Sequence, residues 1–392
     1  MPIKKIVIDR ADRIFQLPPD VTSFVTTEPR RTLGRSIETI DLASFSWQSF
    51  TEADVSRSMG VEEATPDALT ELKEAIADWF LSVHRVRVDP KKEILVGGSI
   101  SSLIYSLTLA FVDSGDLVFH PDLGIPLYRK VTAACGGQPV GYRVSAKTDW
   151  LPDLGRVHTR LGRVSRVLIL NSPHNPTGSC LSEREMAELV HTASRENIVL
   201  VNDAAYQSIP SRMPVSLLGV PGGRKVGVEV YSMSYLLGLP QYPMGFVAGH
   251  RDMIAGIKAS FRLVKPYLPA HFVSMALNAI RQYPSQDLEE VRRRLNESAI
   301  EATRLLKLLD LQKTGYDGVP FVWARIERRR RSAAIAQLLY RRSRIAVVPG
   351  TAFGENGEGY IRFSLTAPAE AYRSACERVK RKLKLFRSTG EQ

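Results

Sequence analysis

Apolar residues recur along this chain with two periods, and each period predicts a different element. After Thr65-Pro66-Asp67, the residues Leu69, Leu72, Ile76, Trp79 or Phe80, and Val83 return every three or four positions. That spacing predicts an amphipathic helix with one face in the core. Pro66 suits a first turn, and Asp67 complements the positive helix end. Between about residues 90 and 250 short unbroken apolar runs alternate with helical stretches. Residues 93–97, 116–120, 166–170, 197–203, 228–233 and 244–248 read as buried strands. Such alternation predicts the α/β class with a largely parallel sheet. Ser182-Glu183-Arg184-Glu185 is a capping box and starts a further helix.

The rest of the chain divides around this region. Residues 1–45 read as an extended arm, because Leu17-Pro18-Pro19-Asp20 excludes a helix there. Residues 46–285 form a large α/β domain in this reading, and 286–392 a smaller C-terminal one. Residues 261–280 are expected as one long helix linking the two, and 288–312 as a charged helix.

Composition narrows the class. The chain has 392 residues, 44% hydrophobic and 24% charged, which suits a globular protein with a sizeable core. No apolar run approaches the roughly 18 residues that cross a bilayer. The N-terminus lacks the apolar core of a signal peptide. Three cysteines without close spacing indicate neither a disulfide framework nor a metal site. The expected setting is the cytoplasm, with no membrane contact. The net charge of +12 raises the question of nucleic acid. The arginine clusters carry no interleaved aromatics, so an arginine-rich solvated surface, or one that attracts an anionic substrate, is expected instead.

Four places bear candidate chemistry. Gly97-Gly98-Ser99 joins a strand to a helix, and free amides at a helix start make an anion cup. Asn175 lies in Ser172-Pro173-His174-Asn175-Pro176-Thr177-Gly178, where two prolines stiffen the turn. Asp203 ends a strand, at the face where open α/β sheets bind ligands. Arg362, in Gly359-Tyr360-Ile361-Arg362-Phe363-Ser364, offers two parallel hydrogen bonds to a carboxylate.

Taken in order, these motifs resemble the class I/II aminotransferases, pyridoxal phosphate (PLP) enzymes of fold type I. The resemblance covers roughly residues 12–385, with Asn175-Pro176-Thr177-Gly178 its most specific element. It implies a doubly wound, mostly parallel sheet with a smaller α+β C-terminal domain. It also implies a homodimer with sites at the interface. In such a protein Asn175 and Tyr206 contact the cofactor's ring oxygen, Asp203 its pyridine nitrogen, the turn at Ser99 its phosphate, and Arg362 the substrate carboxylate. Ser232 and Ser234 match the family's Ser-x-Ser-Lys segment. Tyr235 stands at the lysine place, Pro243 at that of the phosphate arginine, Ile125 at that of the stacking aromatic, and Ala64 at that of a tyrosine that reaches the partner subunit.

That lysine holds PLP as a Schiff base and shuttles a proton; a phenol forms no imine. The first expectation is therefore a repurposed small-molecule biosynthetic enzyme, working without lysine-bound PLP. Arg362 would anchor an amino-acid-like or other carboxylate substrate, with Tyr235 as hydrogen-bond donor or proton shuttle. A second is an enzyme that keeps PLP, or its amine form pyridoxamine phosphate (PMP), without covalent attachment or through Lys130, Lys225, Lys258 or Lys265. A third is a non-catalytic binding or partner subunit.

Overall fold

The structure is a computed structural model that describes residues 38–44, 62–152, 165–207, 209, 213–237, 243–264, 267–284, 286–315, 318–327 and 330–382. Within it a central sheet of seven strands carries helices on both faces. A short strand β1 (Ile40–Asp41) comes first and helix α1 (Pro66–His84) follows. Thr65 caps α1 by accepting from the Ala68 amide, and the chain leaves it through Arg85 in the left-handed region. Strand β2 (Ile94–Gly97) leads into α2 (Ile100–Phe111), β3 (Leu117–Pro121), α3 (Leu127–Ala134) and β4 (Gln138–Tyr142). Then come β5 (Ser165–Asn171), α4 (Glu183–Glu196), β6 (Val199–Asp203), β7 (Gly227–Ser232) and β8 (Gly245–Gly249). The capping box is formed, since Ser182 accepts from the Glu185 amide while Glu185 bonds back to the Ser182 amide.

The spatial order is β2-β8-β7-β6-β5-β3-β4. Strands β3 to β7 pair in parallel, and β8 runs antiparallel to both β7 and β2. Alternate residues of each strand face opposite layers. Val167, Ile169, Val228, Val230 and Val247 pack with Leu103, Leu107 and Tyr128 of α2 and α3. Leu168 and Leu170 pack instead with Met186 and Leu189 of α4. Phe246 and Ala248 meet Leu72, Ile76 and Trp79 of α1. The sheet is thus doubly wound, and its continuous apolar strands are the consequence of burial on both faces.

The C-terminal part begins after two helices, α5 (Arg251–Val264) and α6 (Ala270–Arg281). The single helix expected over 261–280 is corrected here. One helix ends at Val264 and the next starts at Ala270, with Pro269 before it in an extended conformation, since proline removes a helix amide and drives its predecessor out of the helical region. The charged helix is α7 (Gln286–Leu309), ended by Asp310 at φ 60°, before β9 (Leu311–Lys313). Then follow β10 (Phe321–Ile326), α8 (Ser332–Ser343), β11 (Ile345–Ala346), β12 (Val348–Pro349), β13 (Tyr360–Ser364) and α9 (Ala369–Arg381). Strands β12-β13-β10-β9 form an antiparallel sheet packed on α7 and α9 through Leu305, Val322, Phe363 and Tyr372. Strand β1 pairs in parallel with β11, so the described end of the arm is fastened to this C-terminal layer. Most of the arm, including Leu17 to Asp20, lies outside the described residues.

Candidate active site

Parallel strands β5, β6 and β7 end side by side, and their following turns supply the polar groups. Asp203 is the last residue of β6, opposite Asn171 of β5 and Val230 of β7. Its carboxylate accepts from the Tyr128 hydroxyl at 2.7 Å and from the Ala205 amide at 3.1 Å. Burial nevertheless pushes its carboxyl up to about 6, against the lowering effect of both donors. Desolvation disfavours the ionised form more than two hydrogen bonds favour it.

The turn after β5 is locked by Asn171. Its side-chain nitrogen donates to the Asp203 carbonyl at 2.9 Å, and its oxygen accepts from the Asn175 amide at 2.8 Å. This aims the Asn175 side chain inward, where its nitrogen donates to the Tyr206 hydroxyl at 3.0 Å. Its oxygen accepts from Arg362 Nη1 at 3.2 Å. His174 is buried beside it, bonded to the Leu123 carbonyl and Thr177. The Leu123 carbonyl only accepts, so His174 Nε2 carries the proton and Thr177 donates to Nδ1. Burial holds this ring down to about 4.

Arg362 sits on β13 between β10 and β12, so it is an inner-strand residue and is buried, with 4% of its surface exposed. Its guanidinium lies 4.8 Å from the Phe353 ring and 5.8 Å from that of Phe321. Nη2 donates to the Ala43 carbonyl at 3.1 Å. Tyr206 stands 5.5 Å from the Phe321 ring and 4.9 Å from the Tyr235 ring. Tyr235 follows β7 in a one-turn helix, Met233–Leu236, that Ser232 caps by accepting from the Tyr235 amide at 3.4 Å. Asn175, Tyr206, Tyr235 and Arg362 therefore converge.

The remaining predicted residues are distributed around this centre. Ser99 caps α2, accepting from the Ser102 amide at 3.1 Å, at the start of a 12-residue helix whose first-turn amides have no helical acceptor. Ser234 is buried, whereas Pro243 is exposed and supplies no charge. Ile125 packs between two core clusters, and Ala64 joins the core beneath α1. Lys225 and Lys258 are exposed, Lys130 is half-buried on α3, and Lys265 lies outside the described residues. Two roles were not legible in the sequence. Tyr128 is the hydrogen-bond partner of Asp203. Asn171 is the pin of its turn; its place at a strand end, four residues before Asn175, was the available signal.

The family model for aminotransferase class I and II matches residues 52–379. The chain belongs to this family. It is 27% identical, over 96% of its own length and 99% of the relative's, to the LL-diaminopimelate aminotransferase of Moorella thermoacetica. To that of Desulforudis audaxviator it is 30% identical over 79% of each chain. The apo structure of BacF from Bacillus subtilis superposes with a TM-score of 0.81 at 22% identity, covering 97% of this chain and 99% of that one.

These findings correct the first expectation of function. A PLP-independent enzyme, and a cofactor that is absent or doubtful, do not accord with an aminotransferase matched over nearly its whole length. The physical reason lies in the site. The substitutions at Tyr235, Pro243, Ile125 and Ala64 leave the hydrogen bonds of Asp203, Asn175 and Tyr206 in place at the strand ends. The donor set also fits PLP: a buried carboxylate for a pyridinium, the Asn175–Tyr206 pair for a ring oxygen, and helix-start amides for a phosphate. Among the described residues no helix is long and apolar enough to cross a membrane, and no cluster of metal-ligating side chains occurs.

Proposed function

We propose that this member of the class I and II aminotransferases uses PLP or PMP in chemistry on an amino-acid-like, carboxylate-bearing substrate. The observation that carries the reading is Asp203. A buried carboxylate raised to about 6 is costly in an empty site and favourable opposite a cationic ring nitrogen. Asn175 and Tyr206 would hold the ring oxygen, and the turn at Ser99, with Ser232 and Ser234, the phosphate. When bound, the cofactor supplies an electron sink for the substrate's α-carbon. Arg362 would orient the substrate through its carboxylate, and Tyr235 would donate a hydrogen bond beside it. A phenol forms no imine, so these contacts rather than a bond to residue 235 carry the hold on the cofactor. The half-exposed apolar residues Val264 and Tyr267, with Leu263 largely exposed, support a homodimer, as is common in the family.

The test is an absorbance scan from 300 to 500 nm on purified protein with and without added PLP or PMP, before and after borohydride. A saturable cofactor band, absent from Asp203→Ala, with the chain's mass unchanged by borohydride, is the expected result. A protein that takes up neither form of the cofactor, or whose uptake is indifferent to Asp203, would refute the reading.

A further inference from the structure

Asp203 is held from two sides. The Ala205 amide donates to Oδ1 at 3.1 Å, and the Tyr128 hydroxyl donates to Oδ2 at 2.7 Å. One donor on each oxygen fixes the plane of the carboxylate and leaves it lone pairs for a further partner. The Ala205 bond belongs to the turn after β6. The Tyr128 bond comes from the second residue of α3, 75 residues earlier in the chain. The Tyr128 ring is fully buried, in the layer that holds Leu107, Val131 and Ile169. Phenylalanine would fill the same space, so packing alone does not call for the hydroxyl. Burial, and then the charge of Asp203, hold Tyr128 well above the usual phenol range, so it stays a donor. Tyr206 and Tyr235 face Asp203 from the turns after β6 and β7, with Arg362 next to them, and β5 presents the neutral Asn171. Tyr142 of β4 lies behind Tyr128. Burial holds these three further phenols protonated too, so within this set Asp203 is the group that changes charge between pH 5 and 7.5.

We propose that Tyr128 is a positioning residue for the cofactor: its hydroxyl keeps Asp203 ionised and its carboxylate plane fixed, and so sets the pH below which this protein loses its hold on PLP or PMP. The inference rests on the reading of Asp203 as the partner of a cationic ring nitrogen. Such a nitrogen is met by a carboxylate and not by a carboxylic acid. Below the titration of Asp203 its proton must leave before the pair can form, so affinity falls about tenfold per pH unit. Burial alone would place that titration above 6, and the bonds from Tyr128 and Ala205 draw it down. A hydrogen bond to an ionised group is worth about one to two pH units of such a shift. Without the Tyr128 hydroxyl the site would offer an acid at neutral pH, where the cofactor needs a charge.

The experiment titrates the full chain, stripped of cofactor, with PMP and separately with PLP, by calorimetry at pH 5, 6 and 7.5. The ionisations of the free cofactor are common to the wild type and Tyr128→Phe, and they cancel in the ratio of the two dissociation constants. That ratio is expected to grow about tenfold from pH 7.5 to pH 5. A hydroxyl that served packing alone would leave it flat. In parallel, aspartate labelled with 13C at Cγ follows the carboxyl itself by NMR, with Asp203→Asn assigning its signal. The midpoint should lie near 6 in the wild type and about one to two pH units higher in Tyr128→Phe. An unmoved midpoint, or a flat ratio, would overturn the inference while bound cofactor leaves the proposed function standing. A wild type that takes up neither PMP nor PLP, or uptake indifferent to Asp203→Asn, would overturn both.

Discussion

Replacing Asp203 by asparagine removes one charge from the floor of the site at nearly constant volume. In the unfolded chain this carboxyl ionises near 3.8, and burial raises it to about 6 in the fold. The folded state therefore holds the proton more tightly. The stability this contributes is fully present below 3.8 and is lost as pH rises through 6. Two pH units correspond to about 3 kcal/mol, roughly half of it already lost at pH 5. Asparagine does not ionise, so the cofactor-free variant should gain on the wild type as pH rises, by about 1.4 kcal/mol between pH 5 and pH 7.5. That pH-dependent part is independent of what the amide loses in its bond to Tyr128. Equilibrium urea unfolding of both proteins, stripped of cofactor, measures it at pH 5, 6 and 7.5. The same variant should lose the stabilisation that PLP or PMP gives the wild type, by mass action. A stability difference flat with pH would show that Asp203 is not a strained carboxylate. Equal stabilisation of both proteins by cofactor would show that no cationic ring nitrogen meets it.

Other consequences follow from single side chains. Tyr235→Lys should let borohydride fix one cofactor to the chain, read by mass spectrometry; no added mass would place residue 235 out of reach of the cofactor. Glu229 is buried, and its two oxygens accept from Asn202, Leu217 N, Ser216 and Tyr231 at 2.5 to 2.9 Å. Glu229→Gln would place its amide nitrogen against the Ser216 and Tyr231 hydroxyls, which must turn to accept, and should cost about 1–2 kcal/mol in urea unfolding. Gly354 has φ 134°, and a Cβ there would lie 2.1 Å from the Asp122 carbonyl oxygen. Gly354→Ala should destabilise by about 2 kcal/mol or more, read in the same unfolding assay.

The strands were legible because burial on both sheet faces leaves unbroken apolar runs, and α1 because one face alone is buried. Asp203 was legible for a topological reason, since a parallel strand end is where a ligand site opens. Contacts made across the chain were not. No local pattern pairs Arg362 with the Ala43 carbonyl, 319 residues earlier, or Tyr128 with Asp203, 75 residues later. The helix expected over 261–280 divides because apolar periodicity continues past Pro269, whose local cost prevails. The expectation of a PLP-free enzyme failed differently. Tyr235, Pro243, Ile125 and Ala64 are separate losses in the sequence, whereas Asn171, Asn175, Tyr206 and Arg362 are joined by hydrogen bonds that only the fold reveals.

Those bonds invite a purely structural account of the retained residues, and Asp203 is where it breaks down. Asn175 holds a turn, Tyr206 fills space beside Phe321, and Arg362 ties β13 to the arm. Each of these contacts stabilises the protein with no ligand at all. Asp203 is different, because an asparagine would serve the same turn without the burial of a charge. A group that costs the empty protein stability above its own pKa supports the proposed function, in which a cation would meet it at the end of β6. Tyr235 does not alter that argument. A phenol at residue 235 forms no imine, and the function proposed above would then rest the hold on the cofactor on Asp203, Asn175, Tyr206 and the start of α2.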